Sequence, residues 1–213
     1  MNTRNLTHTD NLLAEIGKAL RVIATSAQAR RANPADETND NEMSGPERRQ
    51  AANLMRINHA GEVAAQALYR GQALVASSDT LRKELLQAAD EENDHLAWCE
   101  TRLGELNSNR SLFSPVWYGG SFAIGALAGL AGDKISLGFL AETEQQVTDH
   151  LEDHLKRLPA TDQRSRRIIA QMRDDEERHS THAIEQGATE LPKVAKLAMA
   201  ATSSIMTGIA GRI

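Results

Sequence analysis

The chain has 213 residues, a formal net charge of −5 and only 3% aromatic residues. That length suits one domain with a sizeable core. The few aromatics argue against a sheet-based core, and the acidic balance argues against a general nucleic-acid binder.

Ala, Leu, Glu, Gln and Arg are abundant and enter helices at little cost, and there are only five Pro, so the predicted fold is all-α. Residues 9–27 read as a short helix capped by Thr9 or Asp10, with Leu12, Leu13, Ile16, Leu20 and Ile23 on one face. Residues 29–46 are polar, hold two Pro, and read as a mobile linker. A first long helix is predicted from about Pro46 to Val75, and a second from about Asp79 to Leu106. Ser111–Gly132 then carries no charge. A third helix runs from near Asp133 to Leu158, before Pro159, and a fourth from Thr161 or Asp162 to about Thr189. In the last stretch, Lys193–Ile213, helical spacing puts Val194, Leu197, Ala201, Ile205 and Ile209 on one face. Residues 1–45 are thus an N-terminal helix with linker, and 46–213 a single helical domain. The N-terminus lacks a long apolar run behind a basic start, so no secretory signal is expected.

Two of the helices share a pattern. Residues 90–95 read DEENDH and residues 174–179 read DDEERH, so each holds a Glu-x-x-His. Glu62 lies 30 residues before Glu92, and Glu144 lies 32 before Glu176. Positions i and i+3 of a helix are about 60° apart around its axis and about 4.5 Å apart along it. Glu92 with His95, and Glu176 with His179, therefore point the same way. Glu62 shares its face with Met55, Asn58, Ala65 and Tyr69, and Glu144 shares its face with Leu137, Ala141, Val147 and Leu151. A glutamate in an apolar stripe is costly unless something neutralises it. Four carboxylates and two imidazoles inside a bundle make the ligand set of ferritin-like carboxylate metalloproteins, and such donors suit iron or manganese. Two divalent ions would bring the net charge from −5 to about −1.

Spacing leaves alternatives open. Glu91 with His95 and Asp175 with His179 are equally valid i, i+4 pairs, and Asp175 could instead orient a ligand histidine. His150 and His154 are either outer partners of a metal site or satisfied helix-surface groups. His59 and His182 read as bland. Cys99, the single cysteine, reads as a buried thiol and fits a reducing compartment. The Ser111–Gly132 segment matches a membrane span in length. Its Pro115 and five Gly, however, and the need to keep four helices together, make it the apolar crossover of a bundle. Such a segment can lie on a bilayer, with Trp117, Phe122 and the C-terminal helix as the contacts, or it can pack in a homo-oligomer interface.

Five stretches carry a closer likeness: MRINHAGEVAAQALYRGQ (55–72), EENDHLAWCETRL (91–103), SFAIGALAG (121–129), GDKISLGFLAETEQQVTDHLEDHL (132–155) and DDEERHSTHAIEQGA (174–188). They resemble the demethoxyubiquinol hydroxylase family of ubiquinone biosynthesis, in a bacterial form. The resemblance implies a ferritin-like monooxygenase holding two Fe ions on Glu62, Glu92, His95, Glu144, Glu176 and His179. It makes Glu92 and Glu176 bridging and places His150 just outside the ligands. It further implies a polyprenyl benzoquinol substrate, O2, an electron donor, partner proteins of the same biosynthesis, and a peripheral position on the cytoplasmic side of the cell membrane. In the family an aromatic is expected near the C-terminus, where this chain has Gly208-Ile209-Ala210-Gly211. The rival expectations are a ferritin-like iron-oxidising or storage protein and a membrane-bound helical scaffold without catalysis.

Overall fold

The computed structural model describes residues 8–39 and 41–212, and among these there are seven helices and no strand. They are α1 (His8–Ala24), α2 (Gly45–Val75), α3 (Asp79–Glu105), α4 (Ser114–Leu130), α5 (Asp133–Arg157), α6 (Gln163–Glu185) and α7 (Lys193–Ala210). Residues 1–7, within the expected N-terminal segment, and Ile213, the expected end of the last stretch, lie outside the described residues.

The sequence sets the long helices' ends. At α2 the Ser44 hydroxyl accepts from Glu47 N at 3.4 Å while the Glu47 carboxylate accepts from Ser44 N at 2.8 Å. This reciprocal box satisfies two otherwise unpaired donors. Ser78 caps α3 through Leu81 N, and Asp162 caps α6 through Ser165 N. Gly132, with φ of 109°, turns the chain into α5. The fourth long helix stops four residues short of the expected Thr189. Gly187 takes a φ of 93°, and Ala188 N donates back to Ala183 O, which closes the last turn.

Helices α2 and α3 form one antiparallel hairpin, α5 and α6 the other. Apolar stripes bury between them in two clusters. One holds Leu54, Met55, Trp98, Leu151, Ile169 and Met172; the other holds Tyr69, Leu85, Ala89, Leu140, Ala141 and Ala183. Along every long helix the lone or paired Glu falls between residues of the first cluster and residues of the second. A polar layer is thus set inside an apolar bundle.

Helix α4 is the connection between the hairpins and lies along α2. A glycine on each helix permits the approach. A Cβ on Gly125 would stand 2.1 Å from Leu68 O, and one on Gly71 would stand 2.2 Å from Phe122 O. Gly125→Val should therefore force the two backbones apart, at a cost of about 2–3 kcal/mol for overpacking. In a chain of this size that lowers the melting temperature by roughly 5–10 °C, readable by circular dichroism. An unchanged melting temperature would mean that the α2–α4 seam is not close-packed.

Two sequence expectations are corrected by packing. The 29–46 segment is non-helical up to Ser44 but tied down: Ala35 is fully buried, and Arg164 donates to Ala35 O and Thr38 O at 2.8 and 2.7 Å. Its polar residues serve as hydrogen-bond anchors, which composition cannot distinguish from solvated ones. In α1, Ala19, Val22 and Ile23 pack on the bundle, whereas Leu13, Ile16 and Leu20 are exposed. Thr9 and Asp10 lie inside this helix rather than before it, and the side chain of Leu12 lies outside the described residues. Trp117 and Phe122, expected at a bilayer, are half-buried beside Val63, Leu96 and Tyr118. The most exposed large side chains of α4 are Val116, Leu127 and Leu130.

Candidate metal centre

The six residues selected by spacing converge in the polar layer. Glu62, Glu92, His95 and Glu176 form one group, and Glu92, Glu144, Glu176 and His179 form a second. In each group the potential ligand atoms lie within 4.8 Å of one another. Glu92 and Glu176 belong to both groups. His95 Nδ1 lies 3.4 Å from Glu62 Oε2, 3.1 Å from Glu92 Oε2 and 3.0 Å from Glu176 Oε1. His179 Nδ1 lies 3.2 Å from Glu176 Oε2, 3.7 Å from Glu144 Oε1 and 3.9 Å from Glu92 Oε1. Both imidazoles thus aim Nδ1 at the carboxylates. All four glutamates are at least 98% buried.

The outer nitrogens settle the register that spacing left open. His95 Nε2 meets Asp175 Oδ2 at 3.0 Å, and His179 Nε2 meets Glu91 Oε2 at 2.8 Å. Glu91 and Asp175 therefore do not pair with the histidine of their own helix. Each crosses to the histidine of the other Glu-x-x-His helix. Fixing a histidine's far nitrogen on a carboxylate sets its ring orientation and makes its near nitrogen more basic. The Tyr69 hydroxyl donates to Glu144 Oε1. Tyr69 was visible in sequence only as a neighbour on the Glu62 face, although a buried phenol needs a partner.

Charge is costly in this layer. Burial and the neighbouring Glu176 carboxylate push the Glu144 carboxyl up to about 8 and raise that of Glu92 as well. Burial also opposes ionisation of Glu176, but the two imidazoles outweigh it and hold this carboxyl down at about 2. Burial likewise disfavours the charged imidazoles, yet the carboxylates around them raise the affinity of His95 and His179 for protons. The layer therefore demands positive charge, and protons on the histidines supply part of it. Glu92 Oε1 and Glu144 Oε2 are buried and accept no hydrogen bond. Oxygen and imidazole donors with such orphaned carboxylate oxygens fit divalent cations shared between two groups.

The other histidines are placed elsewhere. The His150 ring stands 3.9 Å from that of His154, and no hydrogen bond joins it to the six residues. His154 Nδ1 meets Asn58 Oδ1 at 2.8 Å, deep in the bundle. His59 pairs with Glu100, and His182 is exposed. Cys99 is buried against Met172, as expected. Sequence reading missed Arg31, whose guanidinium donates to Asp94 and Asp175. Nothing in a polar segment 31 residues before the first ligand signals that role.

A helical bundle with two overlapping buried groups of carboxylates and histidines that could hold metal has the architecture of the ferritin-like carboxylate proteins. Within that class, residues 49–210 match the family described as ubiquinone biosynthesis protein COQ7, and the chain belongs to it. Proteins called 3-demethoxyubiquinol 3-hydroxylase are similar over nearly the whole chain. The one from Acinetobacter baumannii is 54% identical over 205 residues, covering 96% of this chain and 97% of its own. That from Ralstonia pickettii is 54% identical over 96% of this chain and 99% of its own. That from Xanthomonas campestris is 54% identical over 95% of this chain and 94% of its own.

Proposed function

We propose that this protein is a di-iron monooxygenase that hydroxylates the ring of demethoxyubiquinol, a polyprenylated methoxy-methyl-benzoquinol, with O2 and an external electron donor. The observation that carries the reading is the pair of four-residue groups sharing Glu92 and Glu176. Glu62 with His95 would hold one iron and Glu144 with His179 the other, with Glu92 and Glu176 common to both. When bound, two ferrous ions together supply the electrons that activate O2 toward an electron-rich ring. The chain's own residues do the positioning. Asp175 and Glu91 orient the two imidazoles, and Tyr69 donates to Glu144 Oε1, holding that carboxylate beside His179. The substrate comes from the names of the relatives together with the family resemblance.

A cleft of about 90 Å³ between α3, α5 and α6 is lined by Leu81, Leu85, Leu137 and Leu140 together with Glu91 and His179. It supports approach of an apolar ring from the His179 half. The test is incubation of the iron-loaded protein with a short-chain demethoxyubiquinol, O2 and a reductant, followed by mass spectrometry. A product heavier by one oxygen is expected. Rapid iron oxidation with no hydroxylated product would favour an iron-oxidising or storage protein instead.

The same reading places the protein peripherally on the cytoplasmic side of the cell membrane, where a polyprenyl tail resides. No helix among the described residues is long and apolar enough to cross a membrane. Support comes from Val116, Leu127 and Leu130 on α4 and from Val194, Leu197 and Ile205 on α7, all more than half exposed. Burying each such side chain in lipid is worth ~1.5 kcal/mol or more, about tenfold in affinity. The combined change Val116→Ser, Leu127→Ser and Leu130→Ser should therefore weaken liposome co-sedimentation by about 100-fold or more. Wild-type protein that stays fully in the supernatant with vesicles would contradict membrane docking.

A further inference from the structure

The segment between α1 and α2 crosses the outside of α3 as a strap. Its backbone is fastened along the way: Ala27 N donates to Glu100 at 3.0 Å, Arg30 N donates to Asp94 Oδ1 at 2.6 Å, and Asn93 donates to Gln28 O at 2.7 Å. Beyond Arg31, the Arg164 bonds to Ala35 O and Thr38 O fix it again on α6. Between these anchors Arg31 reaches inward. Its Nε donates to Asp94 Oδ2 at 3.0 Å and its Nη1 to Asp175 Oδ2 at 2.8 Å. Its Nη2 lies 3.3 Å from His95 Nε2, and the guanidinium carbon sits 4.8 Å from the centre of the Trp98 ring.

We propose that Arg31 is a positioning residue for the His95 half of the metal centre. It clamps Asp94 on α3 and Asp175 on α6, and the clamped Asp175 fixes the His95 ring with Nδ1 toward Glu62, Glu92 and Glu176. The inference rests on the dinuclear reading above. Asp175 Oδ2 accepts from both Arg31 and His95, so the orientation of its carboxylate is shared between them. Gln171 and Arg178 hold its other oxygen. The arrangement is one-sided. His179 is held by Glu91, whose other oxygen accepts from Gln87 at 3.1 Å, and among the described residues no arginine is bonded to it. His95 is fully buried, whereas the His179 side chain is 12% exposed. A planar fork reaches both carboxylates at once, which a lysine ammonium on a flexible stem cannot reproduce.

The test uses the full-length chain and the variants Arg31→Met, which keeps the apolar stem over Trp98, and Arg31→Lys, which keeps the charge. Each is titrated anaerobically with Fe(II), and separately with Co(II), whose visible absorption reports ligand geometry. The wild type is expected to bind two ions. In Arg31→Met one site should be unchanged and the other weakened by about 10–100-fold, the usual effect of losing an outer partner. Its Co(II) spectrum should change for one ion only, and its helical circular dichroism should be retained. Arg31→Lys should weaken the same single site by less. Should Arg31→Met fail to fold, Arg31→Lys decides by the same one-site criterion. Two ions bound with wild-type affinity and spectrum, or equal weakening at both sites, would overturn the proposal. Wild-type protein that takes up neither metal would overturn the dinuclear reading and this proposal with it, an outcome distinct from unaltered variants.

Discussion

Glu176→Ala is expected to lose both metal ions, whereas Glu62→Ala should lose only one. The difference follows from placement. Glu176 Oε1 lies 3.0 Å from His95 Nδ1 and its Oε2 lies 3.2 Å from His179 Nδ1, so one carboxylate serves both halves of the layer. Glu62 belongs to the His95 group alone. Loss of an outer partner costs about 10–100-fold in metal affinity, so loss of a shared ligand should exceed about 100-fold at each site. After anaerobic loading and desalting, metal analysis should find about two irons per wild-type chain, about one in Glu62→Ala and close to none in Glu176→Ala. Hydroxylation should vanish in both variants. The fold should survive, because the two apolar clusters on either side of the layer are untouched. A Glu176→Ala protein that retained one tightly held iron would show that the carboxylate is not shared.

Metal should also stabilise the protein more at higher pH. Without metal, burial and Glu176 hold Glu144 at about 8, and Glu92 is raised too. A carboxyl raised on folding adds stability that is full below its unfolded value and is lost as pH rises through the folded one. His95 and His179, also raised, act in the same direction. Glu176, lowered to about 2, acts oppositely, but its contribution disappears only as pH falls toward 2. Between about pH 5 and 8 these groups therefore make the metal-free layer contribute less stability as pH rises. Divalent ions replace the displaced protons, so their effect grows over that window. At a free-metal concentration one hundred times Kd, one site contributes about 2.7 kcal/mol. In a chain of this size that is roughly 5–10 °C in Tm. Melting curves at pH 5.5 and pH 8 with and without Fe(II), kept anaerobic, check it. A pH-independent Tm increment would contradict the assignment of protons to this layer.

The helices and the six central residues were legible because both rest on local periodicity. Glu62 and Glu144 stood out as charges inside apolar stripes, and the two Glu-x-x-His pairs stood out by helical geometry. Both signals survive in one dimension. What crosses between helices was not legible. The exchange of Glu91 and Asp175 between the two histidines depends on how the hairpins pack; the sequence left Asp175 open as an orienter of a ligand histidine, but not which one, and offered Glu91 only to His95. Arg31 was hidden for the same reason, because a polar residue in a loop looks solvated until the loop's contacts are known. The exposed half of α1 and the inward turn of Trp117 and Phe122 likewise depend on which elements lie next to them.

The most direct test of the central claim is an anaerobic Fe(II) titration of the full-length, folded protein, with binding followed by calorimetry and metal analysis. Two irons per chain are predicted, with proton release on binding at pH 7. Folded protein that takes up no iron under these conditions would contradict the dinuclear centre and the hydroxylase chemistry built on it.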